Sequence, residues 1–145
     1  MILISHRGNI NGRFESYENE PNYIDNAIVE GYDVEIDVWY VNGRLLLGHD
    51  KPQYGINLRW ITDRISKLWV HCKDIESLVF FKNNEYNINY FWHENDKVTI
   101  TSHKHIWSYP TEKFEPKTIA VLPELYNSTV EGCYGVCSDY IINYK

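Results

Sequence analysis

Apolar and polar residues alternate through Val34, Glu35, Ile36, Asp37, Val38, Trp39 and Tyr40. This two-residue period places successive side chains on opposite faces of a β-strand. Asn42-Gly43 follows, a pair that tolerates positive φ and closes tight hairpins, so Arg44 to Leu47 is predicted to return antiparallel to the first run. Its end, Gly48-His49-Asp50, is carried back toward the start of the acidic strand. Upstream, Ile2 to Ser5 is a short continuous apolar run, the pattern of a strand buried on both faces of a parallel sheet. Pro21, the apolar positions Ile24, Ala27 and Ile28, and the terminating Gly31 predict an amphipathic helix between these strands.

Beyond residue 50 the pattern predicts a short helix over Trp60 to Lys67, a strand over Leu68 to Lys73 and a helix over Ile75 to Lys82. Short strands then follow quickly: Tyr90 to Trp92, Val98 to Thr101, Ile106 to Tyr109, Ile119 to Leu122 and Tyr134 to Ser138. Lys97, Thr99 and Thr101 alternate with Val98 and Ile100, so that strand can turn its polar side to water. Ile119 to Leu122 is apolar on both faces and needs cover. The segments Pro110 to Thr118 and Pro123 to Gly132, with Phe114, Leu125 and Tyr126, are expected to supply it, or else a second copy of the chain does.

The 145 residues fit one domain, 1–145, with a real core. A net charge of −6 with dispersed acids and no basic run argues against nucleic acid as a partner. Met1 to Ser5 is too short for a signal-peptide core, and no run is long enough to insert into a membrane, so a cytoplasmic protein is expected. Cys72, Cys133 and Cys137 are odd in number and lack zinc-ligand spacing, which predicts reduced thiols.

This background sharpens the chemistry of the first fifty residues. Glu35 and Asp37 lie on one side of their strand, and two unpaired carboxylates facing a core would cost several kcal/mol, roughly, unless a cation joined them. A hard divalent ion is one such cation, a solvated sheet face the plainer alternative. Their mutual repulsion predicts that the metal-free protein tolerates Glu35→Gln and Asp37→Asn without loss of stability. His6-Arg7-Gly8 stands at the C-terminal end of the first strand, where parallel α/β sheets bind ligands.

Taken in order, His6-Arg7-Gly8, Glu18-Asn19, the helix ending at Gly31, Glu35-Ile36-Asp37 and Gly48-His49-Asp50 resemble the glycerophosphodiester phosphodiesterase family, of the phosphatidylinositol phospholipase C-like phosphodiesterase superfamily. The resemblance implies a (β/α)₈ barrel, with His6 and His49 as the acid–base pair. It implies that Glu18, rather than the neighbouring Glu20, binds a divalent metal with Glu35 and Asp37, the metal being Mg²⁺ or Ca²⁺ with Mn²⁺ possible in the same set. Arg7 would contact the substrate phosphate. The family's comparable later strand carries Glu-x-Lys; Lys73 matches its phosphate-facing lysine, while His71 stands where the acid is expected.

A full barrel needs ~250 residues, so the expected fold is α/β, a pared-down (β/α)₈ TIM-like barrel lacking several outer helices in its C-terminal half. Expected function is metal-dependent hydrolysis of a glycerophosphodiester or similar small phosphodiester, as in lipid metabolism, by a monomer or homodimer without stable membrane insertion. Alternatives are phospholipase D-like or phospholipase C-like activity on a larger head group, and a noncatalytic phosphate-binding barrel. His93, His103 and His105 read as surface or core-edge residues; Trp92, Trp107 and Tyr109 either line a pocket or fill the interior.

Overall fold

The computed structural model describes residues 1–145. Its regular elements are β1 (Ile2–His6), α1 (Pro21–Val29), β2 (Asp33–Val41), β3 (Arg44–Leu47), β4 (Tyr54–Ile56), α2 (Leu58–Thr62), β5 (Leu68–Cys72), α3 (Ile75–Asn83), β6 (Tyr90–Trp92), β7 (Val98–Ile100), β8 (Ile106–Ser108), β9 (Ile119–Val121) and β10 (Gly135–Ser138). Two 3₁₀ turns, Pro123–Leu125 and Ile141–Tyr144, follow β9 and β10. None of the helices is long and apolar enough to cross a membrane.

Local sequence explains the first elements. Glu20 caps α1 by accepting from the Tyr23 amide, and Pro21 needs no donor in the first turn. The Asn42-Gly43 turn has positive φ at both residues and sets Val38 opposite Leu47, which brings the Gly48 amide onto the Asp37 carbonyl. Asp74 caps α3 through the Ser77 amide and also accepts from the Tyr40 amide, tying that helix to β2.

All ten strands join one mixed sheet. Parallel pairing runs β6, β5, β2, β1, β10, β9, β8, while β7 is antiparallel to β8, and β3 and β4 form an antiparallel extension from the far end of β2. This corrects the expected (β/α)₈ barrel. The sheet curves into a half-barrel with three α-helices, all before residue 84. The reason lies in the connections. A parallel crossover takes roughly a dozen residues, and residues 93–97 and 101–105 are too few, so β6, β7 and β8 run up, down and up.

No ladder joins β6 to β7; one backbone hydrogen bond beyond the end of β7, from the Ser102 amide to the Tyr90 carbonyl at 2.8 Å, and two hydroxyl side chains bridge them instead. Thr99 Oγ1 donates to the Trp92 carbonyl at 3.0 Å, and Ser102 Oγ accepts from the Tyr90 amide at 2.9 Å. This use of hydroxyls inverts the expected facing of β7: Thr101 is buried and Val98 and Ile100 are exposed.

Alternation along the strands sorts the core. On β2 and β5, Val34, Ile36, Val38, Leu68, Val70 and Cys72 face outward and are covered by Ile24 and Ala27 of α1, Ile61 of α2 and Phe81 of α3. Inside the curve Ile4, Trp69, Phe91, Trp107, Ile119, Val121 and Cys137 pack together. Outside β9 and β10, Ala120 and Val136 meet Tyr32, Phe114 and Ile141. Phe114 therefore supplies the expected cover, but Leu125 and Tyr126 are 65% and 55% exposed, and the C-terminal turn does the work expected of them.

Candidate functional site

The ends of β1, β2 and β5 and the loop after β3 meet at one end of the curved sheet. Register sets the neighbours: His6 lies beside Glu35, Asp37 beside His71, and His71 beside Phe91. Because the acids and these imidazoles occupy the inward-facing positions of their strands, adjacent strands bring them together without further help from loops. The remaining groups come from two turns that require glycine. A Cβ on Gly8 would stand 2.6 Å from the Tyr23 ring, and one on Gly48 would stand 2.0 Å from the Lys51 carbonyl oxygen. Both residues also adopt positive φ.

His6, Arg7, Glu35, His49 and Lys73 line one cavity of about 250 Å³, with His71, His93, Glu94, Trp107, Tyr109 and Val121 completing its wall. Asp37 lies beneath it, fully buried. A larger apolar depression, about 470 Å³, lies elsewhere on the outer side of α3 around Tyr40, Ile75, Val79 and Phe80 and carries none of this chemistry.

Each imidazole is held by named partners. His6 Nδ1 lies 2.7 Å from Asp139 Oδ1; a carboxylate only accepts, so Nδ1 carries the proton and Nε2 faces the cavity, 3.9 Å from Glu35 Oε2. Asp139 in turn accepts from Asn9 Nδ2 at 2.8 Å. Burial opposes its ionisation, but His6, Asn9 and Arg7 together outweigh that and hold the carboxyl below its ordinary range. His49, about one-third exposed, places Nδ1 3.4 Å from Asp37 Oδ2 and Nε2 3.3 Å from Arg7 Nη2. His71 has Nδ1 3.1 Å from Asp37 Oδ1 and 3.7 Å from Glu35 Oε1; its Nε2 faces the His93 carbonyl at 3.4 Å, and its ring stacks on Phe91. Burial lowers the His71 pKa, yet contact with the two acids raises it further, to about 9.

Asp37 is the hub. Arg7 Nε approaches Oδ2 at 3.0 Å, Asn19 Nδ2 donates to the same oxygen at 2.9 Å, and Lys73 Nζ stands 3.8 Å from Oδ1. Asn19 also accepts from the Asp37 amide. Burial would raise this carboxyl's pKa, but His49, His71 and Arg7 together hold it well below the carboxylate range. The expected mutual repulsion with Glu35 is thus overridden by the chain's own cations. Burial likewise works against the Arg7 charge, and Asp37, Glu35 and Glu18 more than restore it.

Glu18 is drawn elsewhere. Its oxygens are taken by Arg7 Nη1 at 3.1 Å, Asn9 Nδ2 at 3.0 Å and Arg13 Nε at 3.3 Å. The side-chain group able to hold a metal is Glu35, Asp37 and His71, with ligand atoms all within 4.8 Å of one another. Glu35 Oε2 is buried without a hydrogen-bond partner, the condition a cation would relieve, so the residues fit a divalent metal. Glu20 is committed to capping α1.

Asp139 and Asn9 were missed by sequence reasoning, although Ser138-Asp139 closes the last strand at the same sheet end as His6 and could have been found on that ground. No family model, curated protein or solved structure matches the chain.

Proposed function

We propose that the chain hydrolyses a small phosphodiester, using His6 and His49 for proton transfer beside a divalent metal. The observation that carries this reading is that both imidazoles line one small cavity above a buried carboxylate pair, with Arg7 and Lys73 in its wall. His6 Nε2 accepts or donates a proton at the cavity face, and Asp139 fixes the ring and stabilises its imidazolium form. His49 is positioned by Asp37 and Arg7. Lys73 offers its ammonium to nonbridging oxygens, since its 3.8 Å separation from Asp37 leaves it free to move to an anion. Arg7 holds Glu18, Asp37 and His49 together and presents positive charge from below. A metal held by Glu35 and Asp37 would offset the negative charge that grows on the phosphoryl oxygens.

A cavity of about 250 Å³ suits a phosphodiester of a small alcohol better than a diacyl lipid. Three free cysteines, two buried, fit a reducing, cytoplasmic setting. The test is a panel of phosphodiesters incubated with purified protein and Mg²⁺, Ca²⁺, Mn²⁺ or Zn²⁺. Hydrolysis of a small diester that EDTA abolishes supports the reading. Anion binding without turnover of any member would replace it with a noncatalytic phosphate-binding role.

A further inference from the structure

We propose that the ion of this site is a first-row transition metal such as Mn²⁺, Co²⁺ or Zn²⁺, held through His71 Nδ1 with oxygens of Glu35 and Asp37, and that Mg²⁺ and Ca²⁺ compete poorly for it. This deepens the reading above and rests on it for the metal's catalytic purpose, but not for its binding.

The donor set decides the class of ion. Magnesium and calcium take oxygen ligands almost entirely, whereas imidazole suits the transition ions and raises affinity toward Co²⁺ and Zn²⁺. The third acid that would make an all-oxygen set is spoken for: Glu18 is bonded to Arg7, Asn9 and Arg13. His71 occupies the third position, 3.1 Å and 3.7 Å from the two acids.

Its surroundings are those of a ligand. A carbonyl only accepts, so the His93 carbonyl keeps a proton on His71 Nε2 and leaves Nδ1, aimed at the acids, as the nitrogen that would give up its proton to a metal, the outer-shell arrangement metal-binding imidazoles use. Phe91, stacked at 5.0 Å between centroids, sets the ring plane. An independent sign comes from Glu35 Oε2, in a carboxylate 2% exposed, which lacks any hydrogen-bond partner, while Asp37 Oδ1 has only His71 Nδ1 beside it, the contact a metal would replace. Arg7 occupies the other Asp37 oxygen, and Lys73 is too distant from Oδ1 to satisfy it. Glu35 has no arginine or lysine within ion-pair distance, so the site accepts positive charge beside it.

The experiment is titration of metal-free protein with Co²⁺, followed by its visible absorption and by calorimetry, with no substrate present. One equivalent should bind, Zn²⁺ should displace it, and millimolar Mg²⁺ or Ca²⁺ should not. His71→Gln should weaken Co²⁺ at least tenfold, and His71→Glu should gain Mg²⁺ affinity while losing Co²⁺. Should both variants misfold, imidazole ¹⁵N spectra of the wild type serve: Mn²⁺ should broaden the His71 signal at substoichiometric amounts. Displacement of Co²⁺ by equimolar Mg²⁺, unchanged Co²⁺ affinity in His71→Gln, or a His71 signal that Mn²⁺ leaves sharp would overturn the proposal. Tight Co²⁺ binding through His71 without diester hydrolysis would retire the phosphodiesterase reading alone; Mg²⁺-supported hydrolysis without Co²⁺ binding would retire this one alone.

Discussion

The two halves of the curved sheet solve the same problem in opposite ways. In β1, β2 and β5 the inward positions near the sheet end carry His6, Glu35, Asp37 and His71, and α1, α2 and α3 cover the apolar outer positions. In β8 to β10 the inward positions are mainly apolar, Trp107, Ile119, Val121 and Cys137, and irregular chain covers the outside of β9 and β10; β6, backed by Phe81 of α3, adds Phe91 to the same packing. Charge buried in a sheet must be held in place by partners on rigid neighbours, whereas aromatic filling needs only volume. The helix-backed half therefore holds the candidate chemistry, and the helix-free half reaches it through Phe91, which packs on Trp107 and on which His71 is stacked.

The strongest way to break this contrast is Trp107→Ala. Trp107 is 1% exposed and lies 4.8 Å from the Phe91 ring and 5.7 Å from Trp69 by centroid. Its truncation should cost about 3–5 kcal/mol in urea unfolding; a cost under about 1 kcal/mol would mean that aromatic filling does not hold that half.

On the charged half the matching change is Asp37→Asn. It removes the charge that Arg7, His71 and Lys73 share, so the metal-free protein should lose about 3 kcal/mol, the lower end for breaking a buried pair. Unchanged or increased stability would restore the like-charge repulsion expected from the sequence.

Asp139→Asn should act more gently on stability, by about 1.5–3 kcal/mol for a charged hydrogen bond, and lower turnover because the His6 tautomer is no longer fixed. Its pH signature has a definite sign. A carboxyl held below its ordinary value of 3.8 contributes stability in full above that value and loses it as pH falls through the lower native value. The variant should therefore lose less stability than wild type on acidification below pH 3.8; parallel acid limbs would exclude the His6–Asp139 pairing. Smallest of all, Leu125→Asp should shift stability by no more than about 0.5 kcal/mol, since that side chain is mostly exposed. A larger loss by the same urea measurement would show that Leu125 is covered in solution.

The contrast also explains what was legible in the residues. The period-two runs, the Asn42-Gly43 turn and the capped α1 are local features, and each appears where pattern and turn chemistry place it. Strand direction is not local: nothing within Val98-Thr99-Ile100 distinguishes a parallel strand from an antiparallel one, and only the brevity of its flanking loops does. Tyr54-Gly55-Ile56 was missed because three residues with a central glycine carry no period. The helix expected over Trp60 to Lys67 runs instead over Leu58–Thr62, because the Asn57 side chain accepts from the Trp60 amide and caps it two residues earlier.

The site divides in the same way. Glu35 and Asp37 are near neighbours on one strand, so their shared facing could be read directly. Capture of Glu18 by Asn9 and Arg13, and the pairing of His6 with Asp139 across 133 positions, depend on how the loop and the last strand fold over β1. His71 stands beside Asp37 through the β2–β5 register, which no single segment encodes.

The central claim is that His6 and His49 act together in one cavity. It is tested most directly by turnover of the best diester in His6→Ala and His49→Ala, each checked for a retained fold and metal binding. Each substitution should reduce kcat by on the order of a hundredfold or more, the size of one acid–base contribution. Near-wild-type kcat in either folded, metal-loaded variant would contradict the account.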